Sequence, residues 1–171
     1  YWKSLIGKIR NLYKGKLTYA ANWDEFKRVP FWSQLDLIGI DAYFPLTNFK
    51  SPSVSDYEKG WVLHKEIIQK TQKKYQKPIL FTEFGYRSVN YSGKQPWDAK
   101  RVLGDVNFSA QTNGLEAIYN QFWNENWFAG GFVWKWFIQH DRVGGLKDNR
   151  FTPQNKPAQD LLKKLYSKNT N

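Results

Sequence analysis

The chain contains no cysteine, which excludes disulfides, thiolate metal centres and thiol nucleophiles at once. Histidine is almost as scarce: the two present, His64 and His140, lie outside any ligand spacing and argue against a zinc site. No cofactor is implied. No apolar run approaches the roughly 18 residues that a membrane span needs, and no signal-peptide pattern is visible. Acidic residues are few, with 15 Asp and Glu against 26 Lys and Arg and a formal net charge of +11. Such a field attracts polyanions, whether nucleic acid, anionic lipid or acidic cell-wall polymers. Yet no run of five basic residues occurs and no nucleic-acid motif is present. Many of the lysines fall at 65–74 and 163–164, where they read as the wet faces of amphipathic helices.

What is abundant is aromatic side chain. Nine Trp, ten Tyr and twelve Phe make 18% of the residues, more than packing alone asks for, and their flat faces suit stacking on sugar rings or bases. A length of 171 residues fits one domain spanning 1–171 with a real core. Methionine is absent, and the chain opens inside a helical pattern at Trp2, Leu5, Ile6 and Ile9, so it reads as a piece of a longer polypeptide.

Gly15 is the expected stop of that first helix. Strand patterns follow at 17–22 and 35–43, the second apolar on both faces as in a sheet covered on two sides, with Pro45 ending it. Ser55 and Glu58 match a capping box for a helix running to about Gln76, with Tyr57, Trp61, Ile68 and Tyr75 on its buried stripe. Pro78 breaks that helix and opens a third strand ending at Glu83. After a polar loop at 87–96, Leu115, Ile118, Tyr119 and Phe122 mark another helix. Gly130 and Gly131 punctuate, 132–137 reads as a fourth strand, and Leu161, Leu162, Leu165 and Tyr166 form the stripe of a last helix. The fold class is therefore α/β, a helix followed by four strand–helix repeats with parallel strands. No strand-to-helix junction carries the glycine fingerprint of a nucleotide site. A (β/α)8 barrel takes about 250 residues and eight strands, so the chain matches half of one.

In such barrels functional groups gather at the C-terminal strand ends, and all four strand patterns end in groups suited to sugar. Glu83 stands where an apolar strand gives out onto a loop. Asp41 and Tyr43, two apart, share a face, which lets Tyr43 donate to a neighbouring carboxylate while Asp41 meets substrate hydroxyls or a strand-end cation. Trp134 and Trp136 in the fourth strand likewise share a face, which lets one of them lie inward as a platform for a sugar ring with Lys135 turned away. Asn22 offers an amide and Trp23 a second platform. His140 and Asp141 fall on the rim.

The segments Leu17-Thr18-Tyr19-Ala20-Ala21-Asn22-Trp23, Ile38-Gly39-Ile40-Asp41-Ala42-Tyr43-Phe44-Pro45-Leu46, Pro78-Ile79-Leu80-Phe81-Thr82-Glu83-Phe84-Gly85-Tyr86 and Gly131-Phe132-Val133-Trp134-Lys135-Trp136-Phe137 resemble the fifth to eighth strands of the retaining clan A glycoside hydrolases. Within that clan they are most similar to glycoside hydrolase family 113, the β-1,4-mannanases. Phe151-Thr152-Pro153-Gln154-Asn155-Lys156-Pro157-Ala158 resembles the segment before the last helix. The resemblance implies that Glu83 is the nucleophile, that Tyr43 is its hydrogen-bond partner, and that a strand-eight indole, Trp134, stacks on bound sugar. It also implies a second carboxyl group, a Glu after an Asn at the end of strand four, and no Asn-Glu pair precedes Leu17. The one such pair, Asn124-Glu125, falls late in a helical pattern and reads as helix surface.

The resemblance thus leads to a polysaccharide or oligosaccharide substrate, no nucleic acid, and association with an absent N-terminal half-barrel or a second copy. An extracellular or cell-surface setting follows from the substrate class alone. A carbohydrate-binding fold without catalysis and a single-strand nucleic-acid binder are the rival readings.

Overall fold

The computed structural model describes residues 1–100 and 104–167. Helix α1 (Trp2–Leu12) precedes strand β1 (Ala20–Asn22), and two short 3-10 turns, Phe26–Arg28 and Trp32–Gln34, lead to β2 (Ile38–Asp41). Then come α2 (Val54–Tyr75), β3 (Ile79–Phe84), α3 (Phe108–Phe122), β4 (Phe128–Val133) and α4 (Pro157–Ser167). The strands form one sheet in the order β1-β2-β3-β4, every neighbouring pair parallel. The expected alternation holds except between β1 and β2, where the 3-10 turns replace an α-helix.

Several boundaries differ from the sequence reading; β2, for one, is the inner part of the expected 35–43. The capping box of α2 is Ser53 with Asp56, not Ser55 with Glu58: Asp56 N–H donates to Ser53 Oγ while the Asp56 carboxylate accepts from Ser53 N–H. Strand β1 is short because residues 17–19 make no strand pairing. Leu17 N–H instead donates to the Asp36 carboxylate, which also holds Arg10 of α1. Strand β4 lies earlier than 132–137, since Gly130 and Gly131 belong to the strand rather than preceding it. A Cβ at Gly131 would lie 2.9 Å from the Phe84 ring, so β4 approaches β3 at a point where no other residue fits without a shift.

Alternation gives each strand one face to the helices. Ile38 and Ile40 of β2 and Ile79 and Phe81 of β3 are wholly buried there. Phe81 stacks on Trp61 of α2 and meets the rings of Phe122 and Phe128 edge-on at 4.8 Å, so two helices are held to the sheet through one aromatic cluster. Tyr57, Trp61 and Ile68 are buried as the helical stripe requires, and Pro78 follows a left-handed cap at Gln76. The opposite face carries Ala20, Asn22, Asp41 and Phe132, and it is open: Phe132 is 66% exposed.

Candidate functional site

Register lines up the ends of three strands. Asn22 pairs with Asp41, and Asp41 with Glu83, so the three polar residues form a row across the C-terminal edge of the sheet. The row depends on an irregularity: Ile40 pairs with Phe81 and Asp41 with Glu83, which leaves Thr82 as an extra residue on β3. A bulge of this kind re-aims side chains. Here it lets two sequence neighbours both engage β2 and its exit, Thr82 Oγ1 donating to Asp41 Oδ1 at 2.7 Å and Glu83 Oε2 accepting from the Tyr43 hydroxyl at 2.8 Å.

Tyr43 is 9% exposed, and its phenol is pushed far above the usual range, first by burial and then by the Glu83 carboxylate it donates to. It therefore stays protonated, a fixed donor. Burial also raises the Asp41 carboxyl, and the Thr82 hydrogen bond opposes this only in part. Among the described residues no Lys or Arg forms an ion pair with Asp41; Thr82 takes that place.

The two indoles part company. Because β4 ends at Val133, the i,i+2 rule for strands does not apply to Trp134 and Trp136, and they line different hollows. Trp134 is tied to β3 by its backbone N–H, which donates to Phe84 O at 2.7 Å and keeps the indole beside the strand tip. The Trp134 carbonyl occupies the space that a Cβ at Gly85 would need, so the two segments meet backbone to backbone. Lys135, expected to turn away, instead sets its ammonium over the Trp134 ring at 5.5 Å. Trp136 faces α4 with Val133, Leu162 and Tyr166, and stacks on His140. Trp23 is half-buried between Phe44 and Trp97, the latter stacked on it at 5.2 Å and 22°. Asp141 is exposed in a 3-10 turn, and His140 is held by Gln154 at 3.1 Å. Asn124 and Glu125 lie just past α3, before β4 begins and so at the other end of the sheet, with Glu125 paired to Lys65 at 2.6 Å.

Several supporting residues escape a reading of the sequence. Gln111, wholly buried in α3, donates to both Tyr86 O and Phe151 O at 2.9 Å, clamping the exit of β3 to the segment before α4. Phe151 in turn packs edge-on against the Tyr43 ring at 6.1 Å. Lys156, its side chain fully buried, pairs with Asp148 at 2.6 Å and donates to Ser88 Oγ and Arg150 O. Burial lowers its ammonium pKa, with Asp148 pulling the other way. A polar residue inside an apolar helical stripe, as at Gln111, is the one signal of this layer in the sequence, and it names no partner. Among the described residues no group of three or more His, Cys, Asp or Glu is placed to hold a metal.

Parallel strands in sequential order, with polar and aromatic groups gathered at their C-terminal ends, define half of a (β/α)8 barrel. The chain belongs to glycoside hydrolase family 113, whose family model matches residues 1–156. A GH113 β-mannanase from Alicyclobacillus acidocaldarius, solved in complex with ManMIm, is 27% identical with a TM-score of 0.77, covering 97% of this chain and 50% of its own. A complex structure of a GH113 β-1,4-mannanase is 23% identical with a TM-score of 0.80 over 97% of this chain and 50% of its own. A β-glucuronidase from Faecalibacterium prausnitzii, 19% identical, shares the fold with a TM-score of 0.62, over 98% of this chain and 28% of its own. The chain thus spans about half the length of the solved mannanases it matches. No curated protein sequence gives a significant match.

Proposed function

We propose that this chain is a single partial-barrel domain, 1–171, supplying the nucleophile half of a retaining glycosidase that cleaves β-1,4-linked mannan. The observation that carries the reading is the 2.8 Å bond from the Tyr43 hydroxyl to Glu83 Oε2 at the C-terminal end of β3. The phenol occupies one carboxylate oxygen and orients the other. In the first step that free oxygen attacks the anomeric carbon and forms a glycosyl ester, while a second carboxyl group protonates the departing glycosidic oxygen. In the second step the same group, now a base, takes a proton from water, whose oxygen displaces Glu83 and restores the starting configuration. Glu125 does not serve as that group, because it lies at the opposite end of the sheet in an ion pair with Lys65. The acid/base comes from the other half of the barrel. Asn22 and Asp41 meet sugar hydroxyls, and Trp134 and Trp23 offer faces to the rings.

The test is Glu83→Gln in a polypeptide that also carries the first four strand–helix units. Turnover of mannan should fall by about 10³-fold or more while binding persists. Hydrolysis that survives the change removes Glu83 from the role. A parent protein that binds mannan and never cleaves it supports the inert carbohydrate-binding reading instead.

A further inference from the structure

Beyond the tips of β3 and β4 lies a cleft of about 530 Å³, a size suited to a sugar unit. Its aromatic wall joins it to the site around Glu83. Phe151 lines the cleft and touches Tyr43, and Trp134 lines it from the strand end tied to Phe84.

The rest of its lining is basic. Arg87 and Lys100 from the connection after β3, and Lys135, Arg142 and Arg150 from the connection after β4, converge on it against one carboxylate, Asp148. That carboxylate is already matched by the buried ammonium of Lys156. Arg87 is engaged with Asn149 and the Lys100 carbonyl, so it adds charge while bracing the wall. Among the described residues no ion pair involves Lys135, Arg142 or Arg150. Lys135 holds its ammonium over the rings of Trp134 and Phe137, at 5.5 and 4.6 Å. A charged donor laid against an aromatic platform suits a ring that bears an anion. A neutral mannan could accept hydrogen bonds from these groups but would leave their net charge uncompensated.

We infer that the cleft binds an anionic group on the glycan, a sugar carboxylate or a phosphate ester, through Lys135, Arg142 and Arg150 while the sugar ring lies against Trp134. The inference rests on the glycosidase reading above and names the substrate class more narrowly. A sugar suits the cleft better than a nucleic acid does, because the cations surround a bounded hollow beside the strand-end site and do not form an extended track.

Calorimetric titration of the full chain tests this with a neutral manno-oligosaccharide, one bearing a uronate, one bearing a phosphate ester, and an oligonucleotide. At least one anionic glycan should bind about tenfold or more tightly than the neutral one, as charge-assisted hydrogen bonds warrant, and raised salt should narrow the gap. Preference for the uronate or for the phosphate ester identifies which anion the cleft takes. The variant Arg142→Gln/Arg150→Gln changes two exposed side chains and should erase the preference while leaving binding of the neutral glycan in place. Lys135→Gln, also at an exposed position, should reduce it and provides an independent check if the double variant misfolds. Equal binding of neutral and anionic glycans, or a preference that survives both variants, overturns the inference and leaves the glycosidase reading standing. Binding of the oligonucleotide with no glycan bound overturns both.

Discussion

The hydroxyl of Tyr43 donates to Glu83 from a buried ring braced by Phe151, so its direction is set by packing as well as by the bond itself. Because its phenol titrates far above neutrality, it remains a donor throughout the working pH range. Removing that donor with Tyr43→Phe should lower kcat by about 10–100-fold, the worth of a hydrogen bond to a charged group, with KM little changed. Steady-state kinetics on the completed barrel would show this, and an effect confined to KM would mean that the bond serves binding alone. Asp41 invites a different measurement. Burial raises its carboxyl pKa in the folded chain, so it favours folding below the ordinary carboxylate value of about 4, and that advantage is lost as pH rises through the folded value. At neutral pH the ionised Asp41 is therefore a cost to stability. Asp41→Asn should melt at a higher temperature than the parent at neutral pH, with the difference vanishing below about pH 4. A variant that melts lower at neutral pH would show that the Thr82 bond outweighs burial.

Among the elements, the segment between β4 and α4 is held in place by a buried cation. Lys156 reaches Asp148, Ser88 and Arg150 O together, and so ties the loop after β3 to the residues that carry Phe151 against Tyr43. Lys156→Met should destabilise the chain by about 2–4 kcal/mol in urea unfolding, since it leaves the half-buried Asp148 and the Ser88 hydroxyl without their cation. Combining it with Asp148→Leu should cost less than the sum of the two single changes, a coupling of about 1 kcal/mol or more. Strict additivity would mean that the pair is incidental. The same region marks where the sequence is hard to read. The stripe of α2 was legible because Tyr57, Trp61 and Ile68 repeat at helical spacing and are buried as that spacing demands. Its cap was not, because two overlapping pairs, Ser53 with Asp56 and Ser55 with Glu58, both fit the pattern, and only the backbone entry angle chooses between them. For β4, the glycine pair looks like punctuation from sequence, whereas in the fold both lie within the strand, Gly131 making room for Phe84 and Gly130 adopting a positive φ of 109°. The strand-end pattern marked Glu83 and Tyr43 separately and the family resemblance paired them, but the bulge that brings Thr82 to Asp41 depends on register between strands, which no local pattern encodes. Trp97 over Trp23 and Gln111 under Phe151 are contacts across long loops and are equally invisible there.

At the scale of the whole molecule the sheet is unfinished on three sides. With the order β1-β2-β3-β4, the outer edges of β1 and β4 have no strand partner among the described residues, and the face opposite the helices leaves Phe132 66% exposed. Unpaired parallel edges beside an apolar face are a template for further strands. Solved mannanases align with 97% of this chain using 50% of their own length, and on the reading proposed above the complementary surface would be that of four more strand–helix units. A closed barrel would cover Phe132 and pair both edges at once; a second copy would have to meet the same edges with strands that end in a different constellation of side chains. The expectation is that the chain alone self-associates in size-exclusion chromatography with light scattering, and that co-expression with a polypeptide supplying the first four units of a family 113 barrel converts it to a one-to-one complex. Hydrogen exchange sharpens the outcome: backbone amides of β1 and β4 should exchange faster than those of β2 and β3 in the chain alone and become protected in the complex. A chain that stays monomeric, with β1 and β4 as protected as the inner strands, would show that it closes its own edges and needs no other half.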